Sequence, residues 1–472
     1  MSLPVQPTPT ILLPHFPPKT FVGIDLITFN STANFHGIRD LPSGWHFLYT
    51  STTESLSLRS GAWFYIGDIT AIGYGHHDSA VVLHKLKKAQ NNGPEIYIWK
   101  WSTDTESLAS LKGDNDTDCQ EAMRHKANLG TIWQSGGLFR YRSRVSKSMM
   151  ANAEATKDGE AAQLEEDEES EANGRRDWRR LTDRISPDVL TRMIGNPNYD
   201  VDAHPRWMVT SASTANRDAD HIPGLDPRKV GEDGVPETIG EQEREFGFLP
   251  IDLKQTWREG AIGRERTEAA QDRSWALGEL MERFSKYQDP VTKESVSDED
   301  LGETHLLGEL QFTFLMVLTM MNYSCLQQWK RLLGLVLTSR AAIVEKEGFM
   351  SEFLALLLRQ LKRCDDVEGG LFEMDGDDGG AFLRNLLKRF RRMVYQAVEE
   401  DKGFLVKQEL TKLEVWVKEE YDWELTHESI VKRGMIQLED GEEVEIDMDD
   451  NDEDEETGEY APMIVDSEEA TL

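Results

Sequence analysis

The chain has 472 residues, 39% hydrophobic and 29% charged, with 12 Trp and 18 Phe; this is ample for sizeable cores but too long for one ordinary domain, so two or three domains with tails are expected. A formal net charge of -34 counts against a broad nucleic-acid-binding surface, because such affinity comes from Lys and Arg neutralising phosphates, and basic protein partners fit better. Three scattered cysteines, Cys119, Cys325 and Cys364, exclude a disulfide framework and a CxxC zinc knuckle and suit a reducing compartment.

The opening MSLPVQPTPTILLPHFPP has no basic region ahead of a long apolar run and so reads as no signal peptide; its prolines assign residues 1–18 to a disordered start. Residues 19–141 read as a β-sandwich-like domain of short aromatic and β-branched runs at 20–27, 44–50, 62–66, 80–86 and 95–101. In the last run, alternation places Tyr97, Trp99 and Trp101 on one face and Ile96 and Ile98 on the other. Turn signals at Pro42-Ser43-Gly44 and Asn92-Gly93-Pro94 bound these strands.

Residues 142–175, rich in Ala, Glu, Asp and Ser, read as a disordered acidic insertion, since so polar a run buries too little to offset its ordering. Residues 176–265 read as a helical segment and a long linker. Trp178, Leu181, Ile185, Val189 and Leu190 fall at helical spacing, and Ser186-Pro187 supplies a helix start. The stretch 196–245 reads as a polar loop, and 246–251 as a short extended segment that docks on a domain surface.

Residues 266–428 read as an all-α domain with helices near 306–322, 324–337, 348–361, 381–398 and 404–420. Leu310, Phe314, Val317 and Met321 form one apolar stripe, and Trp329, Leu332, Leu333 and Val336 another, both assigned to the core. The longest apolar run, near 314–321, falls well short of the roughly 18 residues of a membrane span, so no membrane is expected. The tail, 429–472, is a separate electrostatic object: positions 435–472 hold seventeen Asp or Glu and no Lys or Arg. Within it Val444, Ile446 and Met448 alternate with acidic residues, which is a strand pattern.

Three stretches carry a family resemblance. Gly23-Ile24-Asp25, then Asn34-Phe35-His36-Gly37-Ile38, then Leu41-Pro42-Ser43-Gly44-Trp45-His46-Phe47-Leu48-Tyr49 resemble the start of the Aar-two cistron-splicing-factor family. Leu307-Gly308-Glu309-Leu310-Gln311-Phe312-Thr313-Phe314 and Gln328-Trp329-Lys330-Arg331-Leu332-Leu333 resemble its helical core, and Asp272-Arg273-Ser274-Trp275-Ala276-Leu277 a helix start between them. The resemblance implies a multidomain α+β protein with a β-sandwich-like N-terminal domain and an all-α, VHS-like C-terminal domain. It also implies a function in pre-mRNA splicing: U5 small nuclear ribonucleoprotein assembly, by binding the RNase H-like and Jab/MPN domains of the Prp-eight scaffold and so blocking premature helicase docking. A tail strand that pairs with the partner belongs to that picture, with Met435, Ile436, Leu438, Val444, Ile446 and Met448 as its matching residues. Nucleus and cytoplasm are the expected locations, and a monomer the expected state.

Chemistry-bearing motifs are weak by comparison. His76-His77-Asp78 lacks a third ligand at fitting spacing, and Asp375-Gly376-Asp377-Asp378-Gly379-Gly380 lacks the calcium-loop order, so no metal is expected. Gly73-Tyr74-Gly75 is no dinucleotide fingerprint, and no Walker or GxSxG sequence occurs, so no cofactor is expected. Asp25, without a second partner motif, reads as a turn or cap residue. Arg384, Lys388, Arg389, Arg391 and Arg392 alternate with apolar residues as in an ordinary amphipathic helix, so direct nucleic-acid contact is not expected. Ser297, followed by Asp298-Glu299-Asp300, suits an acid-directed kinase. The chain therefore reads as no enzyme; a hydrolase is disfavoured for want of paired acid–base motifs, and the alternative is a membrane-trafficking or other interaction adaptor with a VHS-like helical domain.

Overall fold

The computed structural model describes residues 8–53, 57–69, 95–143, 157–215, 245–288, 295–297, 299–364, 379–398, 402–426, 432–437 and 443–448. They divide into two units: residues 1–248 with 311–326, and most of the remainder, so that the family-like stretch 307–314 contributes to both. The layout is α+β, with β-sheets in the N-terminal part and helices in the C-terminal part.

The first unit contains two sheets. One holds β1 (Thr10–Leu12), β4 (Gly37–Arg39), β7 (Ile96–Ser102), β8 (Ser107–Ser110) and β9 (Leu138–Arg140) in the order β8-β7-β1-β4-β9. The other holds β2 (Phe21–Ile24), β3 (Ile27–Asn30), β5 (Gly44–Ser51), β6 (Ser60–Ile66), β10 (Asn198–Tyr199) and β11 (Pro205–Thr210) in the order β10-β11-β6-β5-β2-β3. A shared core takes Ile11, Ile38, Tyr97 and Trp99 from the first sheet and Val22, Ile24, Leu48, Phe64 and Ile66 from the second, as a sandwich requires. The alternation in β7 is realised: Tyr97 and Trp99 enter this core, while Ile98 enters a second one with Leu12, Leu111, Ala122, Leu129 and Leu138. That second core covers the outer face of the first sheet with α1 (Asp116–Gln134), a helix absent from the β-only expectation. Asn115 caps it by accepting the Thr117 N–H.

Three segments differ from the sequence reading. Residues 1–18 were expected to be disordered, yet Thr10–Leu12 is the central strand of its sheet, parallel to β7 and antiparallel to β4, with Ile11 and Leu12 buried. Flanking prolines bound this short strand without interrupting it. The acidic insertion, expected to be disordered through residue 175, carries α2 (Lys157–Leu181). Its Ala, Glu, Gln, Leu and Arg content is strongly helix-forming, and its C-terminal turns are anchored: Trp178 Nε1 donates to the Trp45 carbonyl at 2.7 Å, and the Trp178 ring stacks on Trp63. The polar loop expected at 196–245 instead begins with β10 and β11, and β11 lies beside β6 with Trp207 opposite Trp63. Pairing across the sheet, rather than local periodicity, selects that strand. The expected helix start at Ser186 is realised in α3 (Pro187–Ile194), where Ser186 accepts the Val189 N–H.

The helical elements are α4 (Arg264–Gln271), α5 (Ser274–Ser285), α6 (Glu299–Met320), α7 (Tyr323–Val336), α8 (Ala342–Glu345), α9 (Glu347–Leu361), α10 (Gly379–Ala397) and α11 (Phe404–Tyr421). Helix α6 is buried on every side, not along one stripe: Leu306, Leu307, Leu310, Phe312, Phe314, Leu315, Met316 and Val317 are all inside. Met321, expected in that stripe, falls past the helix end with φ 54° and is exposed. Asp272 ties the α5 start to the 338–342 turn by accepting the N–H groups of Ser274, Arg340 and Ala341. Two small hairpins complete the second unit: β12 (Lys286–Gln288) with β13 (Ser295–Ser297), and β14 (Lys432–Gln437) with β15 (Glu443–Met448).

Candidate partner-binding site

The residues of the family-like stretches that could carry chemistry are buried and engaged. Asp25 sits in the β2–β3 turn with φ 56°. Its Oδ1 accepts the Phe47 N–H at 2.9 Å, and its Oδ2 meets His46 Nδ1 at 2.8 Å and the Tyr141 hydroxyl at 2.6 Å. His46 Nε2 faces the Pro42 carbonyl at 2.9 Å, so both ring nitrogens point at acceptors. Burial by itself would depress the His46 pKa, but the Asp25 charge and hydrogen bond, with the Pro42 carbonyl, outweigh it and hold that pKa above its ordinary value. Burial first, and then the Asp25 charge, push the Tyr141 hydroxyl well up. With His46 and Asp25 at 1% and 3% side-chain exposure, the trio is closed to substrate and fastens the turn, β5 and the segment after β9 together. The sequence reading placed Asp25 in a turn but missed His46 and Tyr141; their only local signal was His46 inside the family-like Gly44–Phe47 stretch.

The helical signature behaves alike. The Glu309 carboxylate, fully buried, accepts the Leu249 N–H with both oxygens at 3.0 Å, and Gln328 Nε2 donates to it at 2.6 Å and to the Leu249 carbonyl at 3.1 Å. Trp329 Nε1 donates to Gln360 Oε1 at 2.9 Å, and Gln360 Nε2 in turn donates to the Leu310 carbonyl. Gln311 accepts the Arg184 N–H and donates to Asp183 Oδ1 and the Arg180 carbonyl. The Leu249 and Arg184 N–H groups held in this way lie outside any helix or strand, which is why polar types stand inside an apolar helix. The docked extended segment expected at 246–251 is present: Phe246 N–H donates to the Thr214 carbonyl and Gly247 N–H to Met193, ahead of the Leu249 latch.

Asp200, Asp202 and His204 bring three metal-ligand atoms within 4.8 Å of one another. The charges there are already balanced. Asp200 Oδ1 accepts the N–H groups of Asp202 and His204, its Oδ2 lies 3.1 Å from His204 Nδ1, and Lys126 reaches Asp202 at 2.5 Å. Arg206 is buried over the Trp99 ring, where burial first of all lowers its pKa to about 10 against the opposing pull of Asp200. Two cations at the cluster make it an ion-paired strand corner, not a cation cage. The motifs at 73–78 and 375–378 lie outside the described residues.

The tail residues singled out for partner pairing fall on the β14–β15 hairpin, except Leu438, which lies outside the described residues. Its register sets Ile436 opposite Val444, Met435 opposite Glu445, Gly434 opposite Ile446 and Lys432 opposite Met448. The strand expected to await a partner is thus paired within the chain, through one edge of each strand. Ser297 ends β13 opposite Lys286, two positions before the first residue of α6. In α10 the apolar Leu383, Leu386, Leu387 and Phe390 are buried and Arg384 is exposed, the amphipathic arrangement expected.

Two family descriptions match the chain in order: the AAR2 N-terminal domain over residues 7–195 and the AAR2 C-terminal repeat region over residues 248–426. The curated Protein AAR2 homolog of Homo sapiens is 23% identical over 358 residues, 75% of each chain, and that of Pongo abelii gives the same figures. The homolog of Oryctolagus cuniculus is 33% identical over 119 residues, 25% of this chain and 30% of its own. The matches span both the sheet-bearing and the helical parts, and the chain belongs to the AAR2 family.

Proposed function

We propose that this chain serves pre-mRNA splicing as a non-catalytic assembly factor of the U5 particle, binding the RNase H-like and Jab/MPN domains of the Prp-eight scaffold. Occupying those domains would keep the helicase from docking until the factor leaves. Family membership supports the splicing role, and the helical domain on this reading is of the VHS-like type. The observation that carries the binding reading is a contrast in exposure. The Asp25–His46–Tyr141 trio is closed inside a sandwich, whereas Tyr395, Phe404, Leu405 and Val415 on α10 and α11 are 45%, 65%, 48% and 52% exposed. The β14–β15 hairpin adds a second binding element, because the outward edges of its strands carry backbone groups that a partner sheet can complete. Action in the nucleus and the cytoplasm, as a monomer, completes the proposal.

The test is a pull-down and calorimetric titration of the purified chain with the two scaffold domains. A one-to-one complex is expected, weakened about tenfold or more when residues 432–472 are removed. Absence of any complex refutes the partner, and unchanged affinity after truncation refutes the tail's part in it.

A further inference from the structure

We propose that a slot between the two sheets of the first unit binds a monocarboxylate with an unbranched apolar chain, its charged head held by Arg206 and Trp99. This rests on the interior of the β-sandwich, independently of the splicing partner.

The slot begins in the sequence of β6. Ser60-Gly61-Ala62 sets only a hydroxymethyl and a methyl at alternate positions on the core face, where the neighbouring strands supply Leu48, Trp99, Leu108 and Met208. Side chains so small leave the space between the sheets incompletely filled, and Arg206 closes one end of it. The slot lies at an open side of the sandwich. β8 ends its sheet, and β10 covers β11 only at Pro205 and Arg206, so from Trp207 onward the outer edge of β11 has no strand beside it among the described residues. The slot as it stands is narrower than a water molecule, so entry requires a wall to yield. Met208 is that wall: it is partly exposed, and its unbranched side chain changes rotamer readily.

The occupant follows from the polar groups of the slot. Arg206 is 1% exposed, its guanidinium stands 5.1 Å from the Trp99 ring, and its Nε–H meets no acceptor. Trp99, also 1% exposed, has an indole N–H without an acceptor. The charge of Asp200 acts on Arg206, but both Asp200 oxygens are turned to Asp202 and His204. Burying a cation with an unmet donor is costly, and an apolar side chain would fill the same strand position without that cost. Two unmet donors, one of them cationic, select an anion with two acceptor oxygens, as a carboxylate has. Leu48, Ala62 and Leu108 select an apolar body, which excludes inorganic phosphate and sulfate. The far end is Ser60, which lies opposite Thr210, four residues along β11 from Arg206 and so about 13 Å away. A carboxylate on a chain of about eight carbons has that reach.

Calorimetric titration of the full chain with octanoate should show one site per chain. Octanol, which has the chain without the charge, and acetate, which has the charge without the chain, should each bind about tenfold or more weakly than octanoate. Arg206→Met should stay folded, because it removes a buried charge, and should lose the preference for octanoate over octanol. Trp99→Phe, which keeps a ring and removes the N–H, should weaken octanoate about tenfold. Octanol binding as tightly as octanoate to the native chain overturns the proposal. So do octanoate bound equally well by Arg206→Met, octanoate spread over several equivalent sites, or no binding at about 1 mM.

Discussion

Replacing Asp25 by Asn tests whether the buried Asp25–His46–Tyr141 trio is held by charge. Asn keeps the shape, tolerates the left-handed φ of 56° and still accepts the Phe47 N–H through its oxygen. It presents an amide N–H to Tyr141, whose hydroxyl donates at 2.6 Å in the native chain, and removes the negative charge beside His46. Removing one member of a buried pair costs about 3–5 kcal/mol when the other stays charged. His46 has an escape, since a neutral ring can still donate from Nε2 to Pro42 and accept at Nδ1, so the expected loss is about 3 kcal/mol, most of it from the mismatched hydroxyl and the lost ion pair. For a unit of this size that is a fall in Tm of about 6–12 °C by calorimetry. The pH dependence distinguishes charge from shape. The folded His46 pKa is raised above its ordinary 6.5, so its stabilisation is complete below pH 6.5 and is lost as pH rises through the folded pKa. The gap between native and Asp25→Asn chains should therefore be widest near pH 6 and shrink toward higher pH. A Tm within 2 °C of native at pH 6, or a gap that does not narrow with rising pH, refutes charge coupling.

Glu309→Ala should strip the Leu249 N–H of its buried acceptor and the Gln328 amide of one of its acceptors, and destabilise the second unit by about 3 kcal/mol, read as faster hydrogen exchange at Leu249. Trp329→Phe frees Gln360 Oε1 inside the core and should cost about 1–2 kcal/mol in urea unfolding, with the helices intact by circular dichroism. Gly37→Ala should prevent stable folding, because at φ 150° a Cβ would stand 2.0 Å from the Ile11 carbonyl oxygen at the β1–β4 pair; a soluble variant with native thermal stability contradicts that packing. The Asp200–His204 pair combines a lowered Asp pKa with a raised His pKa, burial opposing the shift in each case. Its stabilisation is present in full above about pH 4 and below about pH 6.5, and His204→Gln should flatten the stability–pH curve at both ends of that window.

What the sequence by itself determined is the part written in short-range periodicity. The two faces of β7, the apolar stripe of α7 and the Ser186 helix start each depend on residues within a turn or two of one another, so alternation and spacing sufficed. The family-like stretches were equally legible as strings, but not what their polar residues do. Asp25 and Tyr141 are 116 positions apart and Leu249 and Glu309 are 60 apart, and no local pattern announces a hydrogen bond across such distances. Tertiary structure alone decided that a proline-flanked run becomes a central strand, that a polar linker supplies β11, and that the acidic insertion continues as a helix anchored by Trp178. It also decided that the strand carrying the tail's alternating residues pairs with Lys432–Gln437 in a hairpin, because a strand's partner is chosen by whichever edge the folded chain brings alongside, and local sequence records the need for an edge without recording whose.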